Sequence, residues 1–413
     1  MKKGYLSQYF EGVAAKKLSQ VEANILVSHQ HEFNGVEGLR KILGVPSGKI
    51  KYNAKCIYFT DFDDEPLSEN GELTWYDARQ KAREERNVQR TEYRLYFSDN
   101  TVIQSANAGD ILIIAKRKDN DELLLIISES DTTISSQLLW LFGFTNMEHP
   151  GFSVREELET EQDRIIFASR VILENIGIDI QITDETYLEK MIDKFNGDFP
   201  STKEFSKYAR ETLGDIDFTA DHDNILMSCY EREEILFRTF EKYIVGEQLK
   251  KGIMEVDDFI QFSLSVQNRR KSRAGFALEN QIEYILQMNN IRYSRSAETE
   301  NKVKPDFLFP GINEYKDTDF LPVNLTMLGV KSTCKDRWRQ VLTEANRITN
   351  KHLLTLESAI SQNQTTEMQS HHLQLVVPQK LHFTFNPEQQ SRLFTFEQFI
   401  SLVKERQKNK YSF

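Results

Sequence analysis

Cysteine is scarce in this 413-residue chain: Cys56, Cys229 and Cys334 are all there are. They stand far apart and none belongs to a paired zinc-binding spacing. A disulfide scaffold and a structural zinc site are therefore excluded, and a reduced, cytoplasmic setting is expected. No apolar run approaches the ~20 residues that a membrane-spanning helix needs. The opening MKKGYLSQYFEG lacks the apolar stretch and small-residue cleavage site of a secretory signal. No internal repeat or low-complexity segment is present. Positive charge is also in deficit, since 52 Lys and Arg face 63 Asp and Glu for a net charge of −11. That deficit does not exclude a nucleic-acid partner, because clustering matters more than the total. Acidic residues gather in 61–72, 156–163 and 215–234, whereas Lys and Arg gather in 79–94, 268–273 and 331–339.

What is present is enough apolar residue, 39%, in a chain long enough for two domains with a core each. The most informative stretch is 304–348. Asp306 follows Pro305 and opens the apolar run Phe307-Leu308-Phe309, so a turn becomes a strand there. A second apolar run, 325–330, ends in Lys331. Two neighbouring strands would bring this carboxylate and this ammonium side by side. Beyond them Trp338, Val341, Leu342 and Ala345 recur at helical spacing, which puts Glu344 on a predicted helix. Asp, Lys and Glu in this order suit metal-assisted phosphodiester cleavage. Carboxylates hold Mg2+, a hard cation that keeps several waters. The metal polarises a phosphoryl oxygen and acidifies a water, and the lysine offsets charge in the transition state. A bare PD-x(n)-K pattern is common, however, and by itself reads more often as a turn and a solvated strand end.

The wider wording discriminates between those readings. KPDFLFP, then VKSTCKDRWRQVLTEANRI, then KHLLTL closely resembles the catalytic domain of the EcoRII-type restriction endonucleases, within the PD-(D/E)xK superfamily, from about Arg269 to about Pro378. In that subgroup the last carboxylate comes from the helix after the lysine. Gly329 stands where the common motif has its acid, and Glu344 can serve instead. The resemblance implies metal ligands Asp306, Glu344 and Glu279, the last from the helix expected at 273–287. Its face opposite Leu278, Ile282, Ile285 and Leu286 carries Glu279 and also Glu283, the reserve candidate. It also implies that Lys335-Asp336-Arg337 reads G·C pairs and that Tyr315 lies near the active site. A basic–acidic–basic triplet offers donor, acceptor and donor to the major groove.

Residues 1–150 read as β-rich, with strands expected at 55–62, 92–97, 110–117 and 122–128, a pattern that favours a barrel or sandwich. Arg90, Glu92 and Arg94 share one face of their strand and can read base edges or form a solvated face. Lys17-Leu18-Ser19 and Ser28-His29-Gln30-His31-Glu32 resemble the start of the effector DNA-binding pseudobarrel of EcoRII-type enzymes, which would put His29 and Gln30 in a DNA-facing loop. Two histidines two apart, with no matching cysteines, make a poor metal pair.

The stretch 154–176 shows helical spacing, Ser201-Thr202-Lys203-Glu204 signals a helix start, and 221–245 reads as a helix pair. Strands at 352–356 and 373–377 and a helix at 394–407 complete the expectation. The fold expected is α+β with two domains: a pseudobarrel over 1–150, a helical linker over 151–200, and an α/β nuclease core with a mixed sheet over 201–413. The function expected is a Type II restriction endonuclease, a homodimer that cleaves double-stranded DNA with Mg2+ to leave 5′-phosphates. A cognate DNA methyltransferase would belong to the same restriction-modification system, without a stable complex. Two alternatives stay open. One is a modification-dependent nuclease with Tyr58, Trp75 and Tyr93 lining a base pocket; the other is a non-catalytic DNA-binding regulator.

Overall fold

The computed structural model describes residues 4–24, 28, 31–61, 66–86, 89–118, 122–144, 151–178, 180, 183–252, 255–334 and 337–408. His29, Gln30, Lys335 and Asp336 lie outside the described residues. The chain divides into two compact units, 1–179 with 359–364, and 180–358 with 365–413. The stretch 151–200 is thus shared between them.

The first unit is an eight-stranded sheet in the order β2-β5-β4-β3-β7-β6-β1-β8. Its strands are β1 (Phe10–Lys17), β2 (Glu32–Phe33), β3 (Ile50–Phe59), β4 (Leu67–Asp77), β5 (Tyr93–Phe97), β6 (Ile111–Arg117), β7 (Leu123–Ser128) and β8 (Ser153–Arg155). Strands β3 and β7 are parallel, and the remaining pairs are antiparallel. Alternate residues point inward: Leu73 and Trp75, then Tyr93, Leu95 and Phe97, then Leu123, Leu125 and Ile127 share one apolar cluster. The sheet curls until its edges approach, and Phe152 N donates to Gly35 O beyond β2 at 3.4 Å.

A buried ion pair lies beside this seam. Lys16 Nζ on β1 donates to Glu22 Oε1 (2.7 Å) and to Asn34 O (2.9 Å), while Asn34 N donates to Glu22 Oε1 (2.6 Å). Such a pair tolerates burial only when its remaining groups are satisfied; here Ser19 N and Oγ take Glu22 Oε2.

All four strands expected in this unit are present within a few residues. The two longer strands β1 and β4 escape the sequence because their compositions, FEGVAAKK and LSENGELTWYD, mix small or polar residues into the pattern. The expected helix at 154–176 is corrected. Val154 pairs with Ala14 on the open edge of β1, and only Phe167–Asn175 is α-helical. Tyr58, Trp75 and Tyr93 are core residues. Trp75 stacks on Tyr93 at 5.4 Å and donates from Nε1 to Gly44 O.

In the second unit a helix over Leu188–Phe195 precedes three further helices, α1 (Thr202–Glu211), α2 (His222–Lys251) and α3 (Val256–Met288). The Ser201 hydroxyl caps α1 by accepting from Glu204 N. Where a helix pair was expected, α2 is one continuous helix, since 221–245 contains no Gly or Pro to break it. Helix α3 starts well before 273, and its first half is exposed, with Val256, Phe259, Ile260 and Leu264 at helical spacing on its surface.

These helices accompany a five-stranded mixed sheet in the order β13-β12-β11-β10-β9. It is built from β9 (Ser294–Arg295), β10 (Phe307–Phe309), β11 (Thr326–Lys331), β12 (Lys351–Thr355) and β13 (Leu373–Val376). Strands β9, β10 and β11 pair antiparallel, β11, β12 and β13 parallel. The short helix α4 (Trp338–Leu342) follows β11, and α5 (Phe396–Lys408) buries Phe396, Phe399, Ile400 and Val403. Phe399 meets Phe309 edge-on at 5.7 Å. No helix among the described residues is long and apolar enough to cross a membrane.

Candidate active site

The antiparallel pairing of β10 with β11 sets Phe307 opposite Leu328 and so brings Asp306 to the Lys331 end of its neighbour. Asp306 Oδ2 accepts from Lys331 Nζ at 3.0 Å and from the backbone N–H of Val330 at 2.6 Å. Both side chains are a little under one-fifth exposed. The carboxylate is therefore oriented by two donors and open to solvent on one side.

Glu344 reaches the same region from beyond α4. It does not lie on that helix, which ends at Leu342; Glu344 N closes a tight turn on Val341 O at 3.2 Å, and Ala345 follows with φ +49°. The reason for this detour is packing. A Cβ at Gly329 would lie 2.9 Å from Val341 of α4, so β11 cannot carry an acidic side chain there without displacing the helix. Glu344 itself is buried, and its Oε2 has no hydrogen-bond partner among the described residues. Burial, reinforced by the charge of Asp306 and opposed by Lys331 and Lys351, pushes its carboxyl up to about 7.

Glu279 stands on α3 beside β9. Arg295 Nη2 donates to Glu279 Oε2 (2.8 Å), and Arg295 Nη1 to Glu283 Oε2 (2.6 Å) and Asn280 Oδ1 (2.9 Å). Burial raises the Glu279 carboxyl above the usual range, Arg295 pulls it back, and Asp306 pushes it further up. Glu283 also accepts from Tyr293 OH at 3.2 Å.

Tyr315 is buried and donates to both oxygens of Glu300 at 2.7 Å. Its oxygen accepts from Arg347 N at 3.2 Å, and the Arg347 guanidinium bonds the carbonyls of Tyr315, Asp317 and Phe320. Burial pushes the phenol up to about 12. Tyr315 thus anchors the turn that carries Glu344. Lys351, which donates to Ile348 O at 3.0 Å, is a buried basic side chain near Glu344. Sequence reasoning missed Arg295, Glu300, Arg347 and Lys351. Arg347 and Lys351 stand inside the quoted stretches without a role of their own there, Arg295 and Glu300 stand in neither, and only the strand register and the turn after α4 bring them to the site.

Of the expected sequence reader, Arg337 is described: its exposed guanidinium donates to Thr333 O and Oγ1, both at 2.8 Å. In the first unit, Arg94 on β5 bonds Glu92 Oε1 (2.6 Å) and Glu32 Oε2 (2.7 Å), Arg79 takes the other Glu92 oxygen (2.6 Å), and Tyr76 OH takes Glu32 Oε1 (2.7 Å). The two arginines hold Glu92 below the usual carboxylate range. Arg90 is exposed. Glu92 and Arg94, with His31, Glu32, Asn34 and Tyr96, line an open cleft of about 690 Å3.

Among the described residues no three Asp, Glu, His or Cys side chains stand as a ready metal cage. The donor set nonetheless fits Mg2+. Asp306 and Glu344 supply two carboxylates, the number Mg2+ takes from protein when it keeps most of its waters. The unpartnered buried Oε2 of Glu344 is an acceptor that a cation would satisfy.

Residues 237–400 match the family model described as EcoRII C terminal. Over 204 residues the chain is 41% identical to the Type II restriction enzyme EcoRII of Escherichia coli, a match covering 49% of this chain and 50% of that one. The chain spans about half the length of that relative. Among solved structures it resembles metal-depleted Ecl18kI in complex with uncleaved, modified DNA. That match has 20% identity and a TM-score of 0.45, over 56% of this chain and 88% of that one. It also resembles the restriction endonuclease PspGI in a substrate DNA complex, with 16% identity and a TM-score of 0.43 over 50% and 93%. The matched residues 237–400 carry Glu279, Asp306, Lys331 and Glu344.

Proposed function

We propose that this chain is a Type II restriction endonuclease that hydrolyses double-stranded DNA at a short G·C-rich sequence. The observation that carries the reading is the pairing of Asp306 Oδ2 with Lys331 Nζ at 3.0 Å, with the unpartnered carboxylate of Glu344 delivered to the same region. Asp306 and Glu344 would hold Mg2+, with Glu279 as a further carboxylate. When bound, the metal polarises a phosphoryl oxygen and lowers the pKa of a coordinated water. Lys331 keeps donors beyond the one given to Asp306, and these orient the attacking water and stabilise charge on the phosphorus oxygens. Tyr315, Glu300 and Arg347 hold the Glu344 turn in place. The products would be a 5′-phosphate and a 3′-hydroxyl.

Arg337, with Lys335 and Asp336, would contact the target bases. The cleft around Arg94 and Glu92, with His29, Gln30 and Arg90, would take a second, effector DNA site. There the Glu32 and Glu92 carboxylates suit base amino groups and the arginines suit guanine acceptors. A dimer would cut both strands, and a cognate methyltransferase would protect the host DNA. Incubating the purified chain and Mg2+ with mixed-sequence DNA, then sequencing the ends, tests this directly. A defined site with 5′-phosphates is expected; absence of Mg2+-dependent cleavage overturns the reading.

A further inference from the structure

A cation sits where the proposed site already has its helix carboxylate. Arg295 is the cross-strand neighbour of Phe307, the residue after Asp306, and Ser296 N donates to Asp306 O at 3.0 Å. Strand β9 is therefore tied to the segment that presents Asp306. From there the Arg295 guanidinium reaches α3 and makes three bonds, to Glu279, Glu283 and Asn280. It also lies 5.9 Å from the Phe307 ring centroid. All three charged side chains are about one-sixth exposed or less.

The clamp has its own support. Asn280 Nδ2 donates to Ser206 Oγ on α1 (3.1 Å), Ser206 Oγ donates to Glu233 Oε1 on α2 (3.1 Å), and Gln281 Nε2 donates to Glu233 Oε2 (2.6 Å). This buried polar chain fixes the rotamer of Asn280 and, through it, one prong of the Arg295 fork. A planar guanidinium held at two carboxylates and an amide has little freedom left. It grips Glu279 through Oε2 alone and leaves Oε1 without a hydrogen bond among the described residues.

We propose that Arg295 is the positioning residue of Glu279, clamping Oε2 so that Oε1 stays available and thereby setting the affinity of the active site for its divalent cation. The inference rests on the nuclease reading above and deepens it. Outer partners that orient a metal-binding group typically change metal affinity 10–100-fold when removed.

The test uses the full chain and Mn2+ alone, an ion that shares the preference of Mg2+ for carboxylate and water. Binding is followed through the electron paramagnetic resonance signal of free Mn2+. Arg295→Met, which keeps length but removes charge and fork, should weaken Mn2+ binding by about 10–100-fold. Arg295→Lys should recover part of the loss, because charge returns without the fork. Glu283→Gln should shift affinity in the same direction by less. The Mg2+ concentration for half-maximal cleavage should move in parallel. A merely structural role would lower the melting temperature and leave the Mn2+ affinity of the folded protein untouched. Unchanged or tighter Mn2+ binding by folded Arg295→Met overturns the proposal, the latter marking Arg295 as a competitor of the metal. Should that variant fail to fold, unchanged affinity in Glu283→Gln overturns it instead. Wild-type Mn2+ binding that is indifferent to Asp306→Ala overturns the metal site itself, and this inference with it.

Discussion

Asp306 and Glu344 are both carboxylates of one site, yet their surroundings differ in kind. Asp306 is held by an ammonium and a backbone N–H, whereas Glu344 is buried with one oxygen unpartnered. Replacing Asp306 or Lys331 by Ala should abolish cleavage while leaving specific DNA binding measurable, because the reading groups remain; cleavage rates at saturating Mg2+ beside a binding assay check this. Glu344 leads to a pH effect with a definite sign. Its folded-state pKa of about 7 lies above the ordinary carboxylate value. As pH rises, the unfolded chain ionises first, so the metal-free fold loses stability from about pH 4 up to about pH 7. The loss is on the order of 3 kcal/mol. Glu344→Gln should flatten that decline, and denaturant unfolding of the metal-free protein at pH 5 and pH 8 measures it.

At the scale of elements, β11 and α4 are packed too closely for the common motif. Gly329 lets the helix lie on the strand, with Val341 where a Cβ would go. Gly329→Ala should cost about 1–3 kcal/mol of stability through overpacking and lower the cleavage rate by shifting the Glu344 turn. Adding Val341→Ala should return part of both, which thermal melts and cleavage rates of the single and double variants will show. In the first unit, β1 depends on the Lys16–Glu22 pair beside the seam. Glu22→Gln leaves Lys16 charged and buried without its counter-ion, and the expected loss is about 3–5 kcal/mol. Replacing both residues by apolar ones should cost less than the single change, as read by urea unfolding.

For the whole molecule, the division into two units has a functional counterpart in the proposed roles. A fragment covering 180–413 keeps Glu279, Asp306, Lys331, Glu344 and their supports, and it contains the whole family match. It should fold and cleave the same target. If the first unit binds an effector site, the fragment should lose any preference for two-site over one-site plasmids. That preference would be roughly 5–150-fold for the usual range of coupling energies. A folded fragment that binds Mg2+ but cannot select a site would instead assign target recognition to the first unit.

How much of this was legible in the sequence follows from what kind of contact each feature depends on. Asp306 and Lys331 could be paired from the sequence because Asp306 opens one apolar run and Lys331 closes the next, and adjacent antiparallel strands bring such ends together. The strands at 93–97, 111–117 and 123–128 announced themselves through apolar periodicity or unbroken apolar runs, a record of local burial. Strand β1 did not, because its partners β6 and β8 lie far along the chain and supply what its small residues lack. The first half of α3 carries Val256, Phe259, Ile260 and Leu264 at helical spacing but leaves them exposed, so the period there did not record burial. The carboxylate order Glu279, Asp306, Glu344 was a matter of sequence. Only tertiary structure could decide that Glu344 arrives from a turn, that Arg295 bonds Glu279, and that Tyr315 bonds Glu300 and the backbone of Arg347. Each of these turns on close approach between residues from separate elements, which the spacing of any one element does not encode.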